Sequence, residues 1–180
     1  DIHGSGYYAK KLIERFHEEG AEKLILLGDI LYHGPRNDLP RDYAPKEVIA
    51  LLNPLCGKIL CVKGNCESDV DGMVLDFPVD AENALLYAEG HTFYLTHGQS
   101  VKTTYDVLFN EARRYGCRAA LFGHTHVPLC DESEGYLHLN PGSVSIPKEN
   151  SPHSYMTFDG TTLLWKDVET GETYREHRLS

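Results

Sequence analysis

Gly123-His124-Thr125-His126 follows the apolar run Ala119-Ala120-Leu121-Phe122 and leads into Val127-Pro128. A short apolar run stopped by a Gly reads as a buried strand meeting a sharp turn. Both imidazoles are therefore expected at a strand's C-terminal end, where open α/β sheets gather their ligands. Two His with one residue between them can reach a common centre. By itself an H-x-H is a weak sign, because paired histidines in loops are more often surface groups. The same arrangement, however, recurs four more times along the chain.

Asp1-Ile2-His3-Gly4-Ser5 has the pattern of a strand-to-helix turn, with Asp1 and His3 projecting to the same side of an extended segment. Its form leads one to expect a first strand upstream of Asp1. Residues 23–27, KLILL, run into Gly28-Asp29, and residues 58–62, KILCV, run into Gly64-Asn65-Cys66-Glu67. Residues 91–96, HTFYLT, end in His97-Gly98. Taken singly, each string has a plain structural explanation as a cap or a turn.

The rest of the chain fits one α/β domain spanning residues 1–180. The spacing of Tyr8, Leu12 and Phe16 predicts a helix over 5–19 capped by Ser5 and closed by Gly20. A second helix is expected over 45–52, opened by Pro45 and stopped by Asn53-Pro54. A third runs from Thr103 or Thr104 through Tyr115. An edge strand with its approach is expected over 79–87, a further strand over 136–139, and short antiparallel strands from Ser154 onward. Residues 32–44, YHGPRNDLPRDYA, have no periodicity, and a loop of this length in a compact domain is usually functional or disordered. Its His33, Arg36 and Asn37 are candidate substrate-binding residues, since they can reach an anionic group.

A net charge of −10 argues against a nucleic-acid polymer as partner and is compatible with divalent cations. No apolar run approaches the roughly 20 residues of a membrane span, so the protein is expected to be cytoplasmic. The five cysteines include no C-x-x-C pair, which excludes a disulfide scaffold and a zinc ribbon. All but Cys66 are expected to pack as small apolar residues. His17, His91, His138, His153 and His177 lack motif context and are expected to be surface or hydrogen-bonded groups.

The strand ends together supply Asp1, His3, Asp29, Asn65, His97, His124 and His126 as candidate metal ligands. This mixed nitrogen and oxygen set is too large for one tetrahedral zinc and suits two ions sharing a carboxylate. Asp29 is the expected bridge. Asp1, His3 and His126 are assigned to one ion, and Asn65, His97 and His124 to the other.

The ordered set D-x-H, G-D, G-N-x-E, H-G and G-H-T-H resembles that of the calcineurin-like metallophosphoesterase superfamily. His33 to Asn37, Gly64 to Glu67 and the stretch NPGSVSIP at residues 140–147 resemble the YfcE-type bacterial phosphodiesterases within it. The resemblance implies the same ligand split. It also implies a four-layer αββα sandwich of two mixed β-sheets flanked by helices, and two divalent ions. Mn²⁺ is the expected metal, with Zn²⁺, Fe²⁺ and Ni²⁺ as alternatives. The activity implied is hydrolysis of a small phosphodiester by attack of a metal-bridging hydroxide, with Asn65, Cys66 and His97 as catalytic residues. Many superfamily members carry His where this chain has Cys66. A thiol is a poorer proton donor to a leaving oxygen, so activated or aryl-type diesters are expected to be better substrates than alkyl monoesters. A phosphomonoesterase, or a non-catalytic interaction subunit on the same fold, remains the alternative. The antiparallel tail could also support a homodimer or higher homo-oligomer.

Overall fold

The computed structural model describes residues 1–99, 106–133 and 135–179. In chain order its elements are α1 (Gly6–Glu18), β1 (Leu24–Leu26), α2 (Pro45–Leu52), β2 (Ile59–Cys61), α3 (Asp71–Val74), β3 (Asn83–Ala88) and β4 (His91–Thr96). There follow α4 (Asp106–Arg114), β5 (Ala119–Phe122), β6 (Leu129–Ser133), β7 (Tyr136–Asn140), β8 (Ser154–Phe158), β9 (Thr162–Asp167) and β10 (Thr173–Arg178). Ser5 caps α1 as its sequence predicts, its hydroxyl accepting the Tyr8 N–H at 3.2 Å. The stop at Asn53 ends α2, but the chain continues as a 3-10 turn over Asn53–Lys58, where a proline in the first positions removes no needed donor.

Three hydrophobic clusters separate four layers. Tyr8, Leu12 and Phe16 of α1 and Val48 and Leu52 of α2 pack with Leu24 and Leu26 of β1, Cys61 of β2 and Tyr155 of β8. The opposite faces of those strands, through Ile25, Leu60 and Met156, together with Leu163 and Trp165 of β9, meet Phe93 and Leu95 of β4, Ala119 and Leu121 of β5, and Leu137 and Leu139 of β7. The outer face of that second sheet, Tyr94, Ala120 and Phe122, packs with Ala112 of α4. The period-two alternation of a strand thus decides the cluster each side chain joins, and β5 is apolar throughout because both its faces are covered.

The expected α/β sandwich is present, with one difference in its ladders. Among the described residues the strands form three hydrogen-bonded groups rather than two. A five-stranded mixed sheet has the order β3-β4-β5-β7-β6, a parallel pair joins β1 to β2, and β8, β9 and β10 make an antiparallel ladder. Strand β6 went unread in the sequence because Leu129-Cys130-Asp131-Glu132-Ser133 has little apolar alternation; it is an edge strand held by pairing with β7. The edge strand expected from residue 79 begins at Asn83, and the expected start of α4 lies outside the described residues. Cys56 is exposed rather than packed. No helix among the described residues is long and apolar enough to cross a membrane.

Leu95 is 1% exposed at the centre of the middle cluster. Leu95→Ala should destabilise the protein by about 2–5 kcal/mol. The single tryptophan, Trp165, is fully buried and supplies the fluorescence readout in urea. A loss below about 1 kcal/mol would mean that this layer is not close-packed.

Candidate metal centre

Five loops at strand ends, or at the chain's Asp1-Ile2-His3-Gly4 turn, converge on one point. The backbone there is forced into an uncommon shape. His3, Asp29, His124 and His126 all have positive φ, at 50°, 55°, 63° and 60°. Non-glycine residues adopt this region at a cost of roughly 1–3 kcal/mol each, and such residues cluster at functional sites. Two glycines let the loops close in. A Cβ on Gly28 would lie 2.4 Å from the Gly64 nitrogen, and one on Gly64 would lie 2.2 Å from Asp29 Oδ1.

The histidine tautomers follow from their partners. A carbonyl can only accept, so His3 Nδ1 donates to Tyr32 O at 2.9 Å, His126 Nδ1 to Ile146 O at 2.9 Å, and His97 Nδ1 to Leu27 O at 2.7 Å. Each neutral ring then presents a bare Nε2 inward. Those of His3 and His126 stand 3.1 Å apart, with Asp1 Oδ1 3.7 and 3.5 Å away. That oxygen is buried and has no hydrogen-bond partner. Around His97 Nε2 stand His124 Nδ1 at 3.1 Å, Asn65 Oδ1 at 3.1 Å and Asp29 Oδ2 at 3.4 Å. Asp29 Oδ2 also lies 3.6 Å from His3 Nε2, so one carboxylate oxygen sits between the two groups.

Burial pushes His3, His124 and His126 down to about 4 each, which keeps the rings neutral and their lone pairs free. Burial works to raise Asp29, yet its carboxyl lies well below the usual range, with the Cys66 N–H donating to it at 2.9 Å. Lone pairs facing lone pairs around an ionised carboxylate repel unless cations lie between them. The residues present therefore fit two divalent ions, with Asp1, His3 and His126 able to hold one, Asn65, His97 and His124 the other, and Asp29 Oδ2 reaching both. The residues expected as ligands are brought together, with Asp29 between the two groups.

The supports beneath these ligands were only partly visible in the sequence. Glu67 is buried, and its carboxylate accepts N–H bonds from Asp29 at 2.9 Å, from Ile30 at 2.7 Å and from Gly64, which locks the two turns together. Asn140, fully buried, donates to Gly123 O at 2.7 Å and Thr125 Oγ1 at 3.1 Å, fixing the G-H-T-H turn. Ser143 donates to Asp1 O at 2.9 Å. The available signal was the turn string NPGS directly after a strand, another polar string at a strand end.

The catalytic candidate Cys66 and the substrate-binding candidates are placed less uniformly. Cys66 is half-buried, its N–H donating to Asp29 Oδ1 at 2.9 Å. Burial and the Asp29 charge push its thiol up to about 12, so it stays protonated. A Cβ on Gly34 would lie 3.2 Å from Cys66 Sγ, so the 32–44 loop overhangs the centre. Arg36 is exposed, and its charge acts on both Cys66 and His124. Asn37 is turned inward, its amide donating to His33 O at 2.8 Å, and holds the loop's own turn.

Two outcomes follow from this geometry. Asn140→Ala should weaken Mn²⁺ binding by roughly 10–100-fold in a calorimetric titration; unchanged affinity would show that the G-H-T-H turn holds itself. In the metal-stripped protein the three depressed imidazoles stay neutral down to about 4, whereas the unfolded chain takes up those protons from about 6.5 downward. Stability should therefore fall between those values as pH is lowered, since the opposing contribution of Glu67, which burial raises, is a single group. A urea midpoint that stays flat or rises on acidification over this window would contradict it.

Comparison with known proteins agrees with this geometry. A family model described as the calcineurin-like phosphoesterase superfamily domain matches residues 1–162. The phosphodiesterase YfcE of Escherichia coli K12 is 40% identical over 163 residues, covering 91% of this chain and 86% of its own. The solved structure of YfcE, described as a phosphoesterase from E. coli, superposes with a TM-score of 0.88 at 35% identity, covering 100% of this chain and 96% of that one. Vps29 of Entamoeba histolytica complexed with zinc shares the fold alone, with a TM-score of 0.62 at 18% identity, covering 93% of this chain and 87% of that one. Model match, identity and fold agree: the chain belongs to the calcineurin-like phosphoesterase superfamily, as a metal-dependent phosphoesterase.

Proposed function

We propose that this hydrolase is a dinuclear phosphodiesterase acting on small phosphate diesters. The observation that carries the proposal is the single carboxylate oxygen of Asp29, 3.6 Å from His3 Nε2 and 3.4 Å from His97 Nε2. An ionised oxygen between two sets of bare donors is what a pair of ions needs as a bridge. When bound, two divalent ions activate water and neutralise charge on the phosphoryl oxygens. Mn²⁺ is proposed, because carboxylate, amide oxygen and imidazole together suit it. That the related YfcE is named a phosphodiesterase supports the choice of ester.

The chain's own groups set the rest. The Leu27, Tyr32 and Ile146 carbonyls hold the His97, His3 and His126 imidazoles in one tautomer, so those three rings keep their Nε2 turned inward. Arg36 is exposed on the loop over the centre and its charge acts on Cys66 and His124, which suits it to a phosphoryl oxygen that projects beyond the ligands. Cys66, held as a thiol, is a weak donor to a departing oxygen. Esters whose leaving group needs no proton, such as aryl esters, should therefore be favoured. The five free cysteines support a reducing compartment, and a cytoplasmic location is part of the proposal.

The test is hydrolysis of bis(p-nitrophenyl) phosphate beside p-nitrophenyl phosphate, with chelator-stripped protein titrated with Mn²⁺. The diester should be the faster substrate, with activity restored by the metal and reduced at least about a hundredfold in Asp29→Asn. A faster monoester would identify a phosphomonoesterase. Metal binding with turnover of neither ester would leave the interaction-subunit reading in its place.

A further inference from the structure

One turn, residues 143–146, braces two of the three residues assigned to the first ion. Ser143 donates to Asp1 O at 2.9 Å and Ser145 to the same oxygen at 3.4 Å, while Ile146 O accepts His126 Nδ1 at 2.9 Å. The Lys148 N–H returns to His126 O at 3.1 Å. Inside the turn, Ser143 Oγ accepts the N–H groups of Ser145 and Ile146 at 3.3 and 3.1 Å. The second ion's residues are held from elsewhere. His97 is tied to Leu27 O, and Asn65 follows the Gly64 N–H that Glu67 accepts. His124 meets Asp1 through its backbone N–H, at 3.0 Å from Oδ2.

The turn is itself held by a histidine that touches none of the ligands. His153 Nδ1 stands 2.8 Å from Val144 O, and because a carbonyl can only accept, that nitrogen carries the proton. Its Nε2 faces the Tyr8 hydroxyl at 2.9 Å, and the two rings stack at 4.1 Å between centroids, 13° from parallel. Tyr8 is a buried residue of α1. The backbone around His153 is also fixed, with the Val168 N–H donating to His153 O at 2.7 Å and the Ser154 N–H to Ser143 O at 3.0 Å. His153 thus sits between α1, the start of β8 and the turn. Without its Nδ1 the Val144 carbonyl loses this donor, and the turn loses its side-chain tie to α1.

We propose that His153 is a positioning residue for one ion of the pair: it sets the 143–146 turn against α1, and through that turn the reach of Asp1 and His126 toward the ion they share with His3. The site of Asn65, His97 and His124 does not depend on it. The inference rests on the two-ion reading of the centre. Groups that orient metal ligands from outside tune affinity by about 10–100-fold.

The test is calorimetric titration of chelator-stripped protein with Mn²⁺, and it needs no turnover. The wild type should bind two ions. His153→Phe keeps a ring on Tyr8 and removes both nitrogens; it should weaken one step by about 10–100-fold and leave the other within about twofold. Tyr8→Phe, a milder change, should weaken the same step to a lesser degree. His153→Asn can place an amide N–H near the position of Nδ1 and should restore the step. His126→Ala assigns the site, since it should remove the affected step, and adding His153→Phe should leave the remaining step unchanged. Two ions in the wild type with both steps weakened together in His153→Phe, or with neither weakened, would overturn the positioning role. A wild type that saturates at one ion would overturn the two-ion reading and this inference with it.

Discussion

The centre depends on a repulsion. Three imidazoles turn their outer nitrogens to backbone carbonyls, and the nitrogens left facing inward have no proton to share. Between them sits the Asp29 carboxylate, ionised and buried. Acceptors held 3.1–3.6 Å apart in a low-dielectric pocket push against one another. Folding must hold them there until cations relieve the strain. Burial lowers His3, His124 and His126 toward the neutral form for the same reason, so the repulsion and the affinity for metal have one origin.

The architecture exists to supply that restraint. Parallel strands β1, β2, β4 and β5 end on the same side, so their following loops share one rim. The middle hydrophobic layer fixes the spacing of the two sheets and hence of the two ligand groups. Above it, Glu67 clamps the turn after β1 to the turn after β2, while Asn140 joins the turn after β7 to the one after β5. Trp165 donates to the Asn140 carbonyl at 2.7 Å, so the polar support is itself anchored in the apolar layer. Four residues in left-handed backbone conformations are tolerated because so many bonds converge on them.

Much of this was legible in the sequence, for a physical reason. A buried parallel strand must be apolar and must end in a turn, so the strings GD, GNCE, HG and GHTH announce both their place in the fold and their chemistry. The residues that converge on the centre could be read from order and residue type. Positioning residues are harder, since Asn140 resembles any turn Asn until the distance to Gly123 is known, and Glu67 resembles a solvated loop acid until its three N–H donors appear. Asn37 fits an anion-binding role by type, yet its amide serves the loop. Strand β6 escaped because edge strands are held by pairing rather than by apolar pattern.

The fold is shared with Vps29 at 18% identity, and a scaffold alone does not fix a function. The most direct measurement is therefore electron paramagnetic resonance of the protein loaded with Mn²⁺. If Asp29 bridges two ions, a spin-coupled dimanganese spectrum should appear as binding approaches two ions per chain, and Asp29→Ala should abolish the coupling. A spectrum of isolated Mn²⁺ at saturation, or saturation at one ion per chain, would contradict the account.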